Sequence, residues 1–295
     1  MLGLGDSFSY LECSVCRSLQ LQNPPSNWDR YYPSSYYSFE VSEITPRPSI
    51  KRWFKRLATS SALKWSQQHK SKTLLNRLEI PEWMRQIPIK LTSSILDVGA
   101  GGGEFLQQLW RAGFQRLAGI DPYLAQDTSP MKGVLVRKLH MHELRETFDV
   151  VVLNHTFEHL EDGEKALRDL KCLLNPGGFI VLRIPIADSY AWANYRTLWV
   201  QLDAPRHQML HTRISLYILT QKVGLQIAHL SCDSTNLQFW GSELYRQDKA
   251  LTGAAARAIR NSYTDAQWQD WNAQATMLND IGLGDQCCCI LTLPN

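Results

Sequence analysis

The stretch that most constrains this chain is Ser93 to Trp110, SSILDVGAGGGEFLQQLW. Ile95, Leu96 and Val98 make a short apolar run of the kind found in strands buried on both faces. Gly99, Gly101 and Gly103 follow at alternate positions, and Phe105, Leu106, Leu109 and Trp110 then recur at helical spacing. Strand, glycine turn and helix form the layout of a nucleotide-binding crossover, in which glycines let the backbone approach a ligand at a helix N-terminus. The dinucleotide pattern G-x-G-x-x-G fails here, because counting from Gly99 and Gly101 its last position holds Glu104. A carboxylate there repels a pyrophosphate, and Asp97 adds a second negative charge at the strand end. The loop suits a cationic ligand.

The next strand, Leu117 to Ile120, ends at Asp121, about 20 residues on, where an acid can accept hydrogen bonds from both ribose hydroxyls. LDVGAGGG, then GIDP, then FDVVVLNHTFEHL, then LLNPGGFIVLRIP resembles the ordered motif series of class I S-adenosylmethionine-dependent methyltransferases. The resemblance implies an α/β fold with a Rossmann-like, doubly wound, mostly parallel seven-stranded sheet and an antiparallel last hairpin. It implies S-adenosylmethionine as cofactor, whose ammonium and sulfonium match Asp97, Glu104 and Asp121 better than NAD does. By the same resemblance Asp97, Gly99, Gly101, Gly103, Asp121, Pro122 and Asn154 are its expected contacts, with Met141, between His140 and His142, near the adenine.

At 295 residues the chain can bury one large core plus a smaller appendage. A net charge of +3 is too small to argue for nucleic acid, and no Asn-Pro-Pro-aromatic or Pro-Cys motif follows the fourth strand. No apolar run approaches the ~18 residues of a membrane span. The opening MLGLGDSFSY lacks a basic region followed by an apolar one, and the 7 cysteines show no regular spacing. Reduced thiols and a cytoplasmic location are expected. The organisation expected is an N-terminal extension over 1–88 and a methyltransferase domain over 89–295, with a helical insertion at about 233–284.

Within the extension, Cys13 and Cys16 form one C-x-x-C pair. Shortly after it, LQNPPSNWDRYYPSSYY resembles the segment downstream of the second cysteine pair in methyltransferases with an N-terminal zinc-ribbon-like module. The first pair is missing, so half a site remains and no zinc is expected. From Pro46 to Ile80 the pattern turns helical, with Ile50, Trp53, Phe54 and Leu57 on one face. Every formally charged residue between Glu43 and Glu79 is Lys or Arg. A basic amphipathic stretch over 47–77 can touch an anionic membrane peripherally, or it can be a helical cap with a solvated face.

The fourth strand, Val150 to Leu153, leads into Asn154, His155, Thr156, Phe157, Glu158 and His159. Ligands in open α/β sheets bind at that edge. Methylation at oxygen benefits from a general base, and histidine titrates near physiological pH. His159 and His207 are the leading candidates, His155 the third, and Glu158 and His211 further ones. His207 and His211 belong to the run PRHQMLH, which also resembles the family. No metal is expected: two histidines make a poor site, and His155 stands where some quinone-pathway relatives carry the first Glu of an E-x-x-E-H motif. Tyr190, Trp192, Tyr195 and Trp199 form either an aromatic wall for the acceptor or a packed lid. Cys287, Cys288 and Cys289 read as small apolar fillers of a last strand, Gln286 to Leu293. The function expected is methyl transfer to a small or glycan-linked acceptor, at oxygen. A quinone- or polyketide-type phenol is the alternative acceptor, and a cofactor-binding protein without catalysis is the alternative of another class.

Overall fold

Apolar runs followed by turn residues repeat along residues 91–232, and each becomes a strand or helix close to where the pattern places it. The computed structural model describes residues 4–32, 49–69 and 73–294. The first elements are β1 (Tyr10–Glu12), β2 (Leu19–Leu21), α1 (Ser49–His69) and α2 (Thr73–Arg77). Then come β3 (Ser94–Val98), α3 (Glu104–Ala112), β4 (Arg116–Ile120), β5 (Thr128–Met131), β6 (Val134–Arg137) and β7 (Phe148–Asn154). The next are α4 (Gly163–Cys172), β8 (Leu174–Pro185), α5 (Tyr190–Tyr195), β9 (Met209–Leu210) and α6 (Arg213–Val223). The chain closes with β10 (Gln226–Cys232), α7 (Leu237–Arg246), α8 (Gly253–Ser262), α9 (Asp265–Asp280) and β11 (Gln286–Thr292).

The larger sheet has the order β10-β11-β8-β7-β3-β4-β6-β5. β3 pairs in parallel with β4 and β7, and β4 with β6. Every residue of β3 is buried, as a strand flanked on both sides and covered on both faces must be. The Asp233 N–H, just past β10, donates to Gln286 C=O at the start of β11, so those neighbours run antiparallel and form the expected last hairpin. Among the described residues the sheet has eight strands rather than the seven expected. The extra one, β5, is antiparallel to β6 at the sheet edge. Its sequence TSPM has no alternating apolar pattern, and its proline is tolerated because an edge strand can forgo a ladder donor.

Two compact units divide the chain. The first contains 34–154, 165–181 and 290–295. In it, α1 buries Thr59, Ala62, Leu63 and Ser66, while Trp53, Phe54 and Leu57 are exposed. These three do share a face, but it is the solvent face: the inward stripe uses smaller residues, which let the helix lie close enough for Arg56 to cross over Gly113. The start of the expected basic stretch at Pro46 and Arg47 lies outside the described residues, as do Lys70, Lys72 and the end of the tyrosine-rich segment. No helix among the described residues is long and apolar enough to cross a membrane.

The second unit contains 1–33, 155–164 and 182–289. Here β1, β2 and β9 form a small antiparallel sheet, with Leu19 opposite Leu210. Thr212 caps α6 by accepting the Ser215 N–H, and Gly224 ends it at φ 66°, as its sequence requires. Trp199 is fully buried with Leu19, Ala187, Ala191, Val200 and Leu210, and its indole N–H donates to Asp285 at 2.9 Å. It is therefore a core residue rather than part of an open wall. Cys287, Cys288 and Cys289 are all buried, because both faces of β11 are covered.

Candidate functional site

The glycine turn is shaped by three left-handed residues: Gly99 (φ 76°), Gly101 (φ 50°) and Gly103 (φ 82°). A Cβ on Gly103 would also sit 2.7 Å from Pro130 Cγ, so only glycine fits at the start of α3. The Gly99 and Ala100 N–H groups both donate to Ile120 C=O, tying the turn to the end of β4. Gly119, not singled out from sequence, lets this happen: a side chain there would meet Ala100 and Leu106 at 2.9 Å. Its signal was only a glycine inside an apolar strand, which marks close backbone approach.

Asp121 holds the turn. Its Oδ2 accepts the Gly101 N–H and its Oδ1 the Tyr123 N–H, both at 2.9 Å. A carboxylate has about four acceptor lobes, so each oxygen keeps one, which is what a ribose diol needs. Burial pushes the Asp121 carboxyl up, against the pull of the two N–H donors. Asp97 is fully buried, and burial together with the Asp121 charge pushes it up to about 8. Two buried carboxyls beside a glycine turn fit a ligand that brings positive charge and a diol. Asn154 ends β7 half-buried, and Pro122 and Met141 are also half-buried. Met141 opens a short 3-10 turn whose preceding residue, His140, is fixed by Glu143.

The raised Asp97 has a consequence for stability. A carboxyl whose folded pKa lies above its unfolded value near ~3.9 contributes stability below that value and loses it as pH rises to the folded pKa. Here the window runs from about 4 to about 8. Without cofactor, the stability of Asp97→Asn relative to the parent should therefore grow by up to about 1.4 kcal/mol per pH unit between pH 5 and 8, then level off. Denaturant unfolding at a series of pH values checks this; a difference flat across that range contradicts it.

In the second unit the chain enters a histidine–carboxylate cluster at His155. That residue adopts φ 54°, uncommon for a residue with a Cβ. Its N–H is held by Arg183 C=O at 2.9 Å. The side chain is 39% exposed, and its Nδ1 lies 3.4 Å from Glu158 Oε1. Glu158 is completely buried, and neither of its oxygens accepts a well-formed hydrogen bond. Burial raises this carboxyl, but the His155 contact and the charges that His159 and His207 can carry outweigh it and hold it at about 2.

His159 and His207 lie edge to face with ring centroids 4.8 Å apart. The His159 Nδ1 meets Arg206 C=O at 2.8 Å and the Tyr32 hydroxyl at 3.1 Å. The His207 Nδ1 meets Gln201 C=O at 2.7 Å, while its Nε2 lies 3.9 Å from Glu158 Oε1. Burial, with the neighbouring His159 charge, pushes His207 down to about 4. Gln208 ties the segments together, its side chain donating to His159 C=O and its N–H to Glu158 C=O. Asp203 stands 3.9 Å from the His207 Nε2 and is gripped by Arg206.

His155, Glu158, His159 and His207 thus come together. His211 does not join them: it stacks on Phe157 with centroids 5.0 Å apart and turns its Nδ1 to Ser215. Tyr32, Gln201 and Asp203 were not found from sequence, because their roles depend on which segments meet in space. Within the cluster His207 is buried, His159 is half-buried and His155 is the most exposed histidine.

Cys13 is exposed and Cys16 faces the Ser18 hydroxyl at 3.1 Å.

A family model described as a methyltransferase domain matches residues 47–230. The mitochondrial ubiquinone biosynthesis O-methyltransferase of Rattus norvegicus is 27% identical over 190 residues, covering 55% of this chain and 51% of that protein. The EEF1A lysine methyltransferase 2 of Danio rerio is 30% identical over 120 residues, covering 34% of this chain and 51% of that protein. The chain thus spans about half the length of these curated relatives. A solved structure described as an S-adenosylmethionine-dependent methyltransferase, possible histamine N-methyltransferase, from Thermotoga maritima is 18% identical with a TM-score of 0.43, covering 83% of this chain and 95% of that one.

Proposed function

The chain belongs to the methyltransferase-domain family, and from that premise we propose that it is an S-adenosylmethionine-dependent methyltransferase of class I. The observation that carries the reading is Asp121, which accepts the Gly101 N–H of the glycine turn and the Tyr123 N–H of its own loop and keeps one acceptor lobe on each oxygen. The cofactor supplies an electrophilic methyl group. The chain's part is to hold it: Asp121 would accept hydrogen bonds from the ribose hydroxyls, Asp97 would complement the positive charge, and Gly99, Gly101 and Gly103 would let the backbone come close. Pro122, Met141 and Asn154 complete the proposed contacts. The methyltransferase chemistry belongs to 89–295, the insertion at about 233–284 serves the acceptor, and 1–88 is an extension.

The acceptor in this reading is a small or glycan-linked molecule methylated at oxygen. His155 takes the proton that the attacking hydroxyl loses, on Nε2, while Nδ1 stays turned to Glu158. It follows Asn154 directly at the C-terminal end of β7, the end where open α/β sheets bind ligands. His207 is buried and His159 half-buried, so in this reading the base is His155, the most exposed of the three. A second reading, a quinone-type phenol as acceptor, is favoured by the match over 55% of the chain to a ubiquinone biosynthesis O-methyltransferase. A transfer assay with methyl-labelled cofactor and a panel of sugar hydroxyls, phenols and lysine peptides separates them. Label should enter a hydroxyl compound, whereas label found only in lysine peptides would overturn the oxygen reading.

A further inference from the structure

We propose that Glu158, His159 and His207 form a binding site for a divalent transition-metal cation of the zinc class. One ligand atom from each of the three lies within 4.8 Å of the others. Both histidines turn Nδ1 to a backbone carbonyl, Arg206 for His159 and Gln201 for His207. A carbonyl only accepts, so each Nδ1 carries the proton and each Nε2 presents a lone pair. That is the arrangement that fixes the tautomer of metal-bound histidines. The His207 Nε2 lone pair then faces Glu158 Oε1 at 3.9 Å with no hydrogen between them.

Glu158 supplies the independent observation. Its side chain is entirely buried and neither oxygen accepts a well-formed hydrogen bond, the His155 Nδ1 standing 3.4 Å from Oε1. Leaving a buried carboxylate so is costly unless a cation meets it. A proton on His207 would meet one oxygen and leave the other. A cation bound by the carboxylate and by both Nε2 atoms satisfies the carboxylate and both lone pairs together. Two imidazoles and one carboxylate suit zinc-class ions, whereas magnesium and calcium prefer all-oxygen shells. Zinc ligands stand about 2.0–2.2 Å from the ion, hence about 3.4 Å apart in a tetrahedron, so side-chain rotation closes the site. Three protein ligands leave a fourth position open. Asp203 stays outside the set because Arg206 holds it, and His155 because its Nδ1 points at Glu158 from the exposed side.

This departs from the expectation of no metal. The sequence offered only pairs, and the third ligand arrives through the turn carrying His207. The test needs neither cofactor nor acceptor, so it stands or falls separately from the methyl-transfer reading. The full chain, stripped with chelator, is titrated with zinc or cobalt(II) and followed by elemental analysis, thermal unfolding and the cobalt spectrum. About one equivalent should bind and raise the unfolding temperature. Glu158→Gln and His207→Ala should lose it, while Cys13→Ser and His211→Asn keep it. No stoichiometric binding by the parent, binding that survives in Glu158→Gln and His207→Ala, or loss in Cys13→Ser would overturn the site. Should the Glu158 variant fail to fold, the parent's cobalt spectrum decides: nitrogen and oxygen ligation without a thiolate charge-transfer band supports the site, and a thiolate band refutes it.

Discussion

Replacing Asp121 with Ala should weaken S-adenosylmethionine binding by about 10²-fold or more. Each charge-assisted hydrogen bond contributes about 1.5–3 kcal/mol, and the two acceptor lobes left on Asp121 would each make one with the ribose. The same change removes the acceptor for the Gly101 and Tyr123 N–H groups, so the turn loses its anchor as well. It also removes the charge that, with burial, raises Asp97, which should then ionise more easily. That partial compensation strengthens attraction to a cation and keeps the effect from being larger. Calorimetric titration of the variant, with denaturant unfolding to confirm that it is folded, gives the answer. Affinity within about threefold of the parent would show that Asp121 shapes the loop without touching the cofactor.

The second large effect is expected at His155. A general base contributes typically about 10²- to 10⁴-fold to rate, so His155→Asn should depress turnover by that order while cofactor affinity stays unchanged. Asn is chosen because it also tolerates the left-handed backbone that His155 adopts at φ 54°. Loss of activity then reports the imidazole and not a disturbed turn. His159 and His207 serve as contrasts. If His155→Asn keeps near-normal turnover while His159→Asn does not, the base is His159. If none of the three matters, positioning of the acceptor supplies the rate.

What could be read from the sequence was what is encoded locally. The strand, glycine turn and helix from Ser94 to Ala112 need only adjacent residues, and Thr212 and Gly224 bracket α6 by capping chemistry alone. β5 escaped because Ser129 and Pro130 break any strand pattern, and only its edge position makes it a strand. The outward face of α1 escaped for another reason. Trp53, Phe54 and Leu57 carry the stronger apolar signal, yet close packing selects the smaller stripe through Ala62 and Leu63. The histidine cluster was visible only as a list of candidates. Nothing in the spacing of Tyr32, Glu158, Gln201, Asp203 and His207 shows that they meet, and the burial that silences His207 as a base comes from that meeting.

The most direct test of the methyltransferase reading is calorimetric titration of the purified chain with S-adenosylmethionine, with NAD as the comparison. The acid-lined turn around Asp97, Glu104 and Asp121 should bind S-adenosylmethionine at one site per chain and leave NAD unbound. Tight NAD binding with no heat from S-adenosylmethionine would contradict the account at its root.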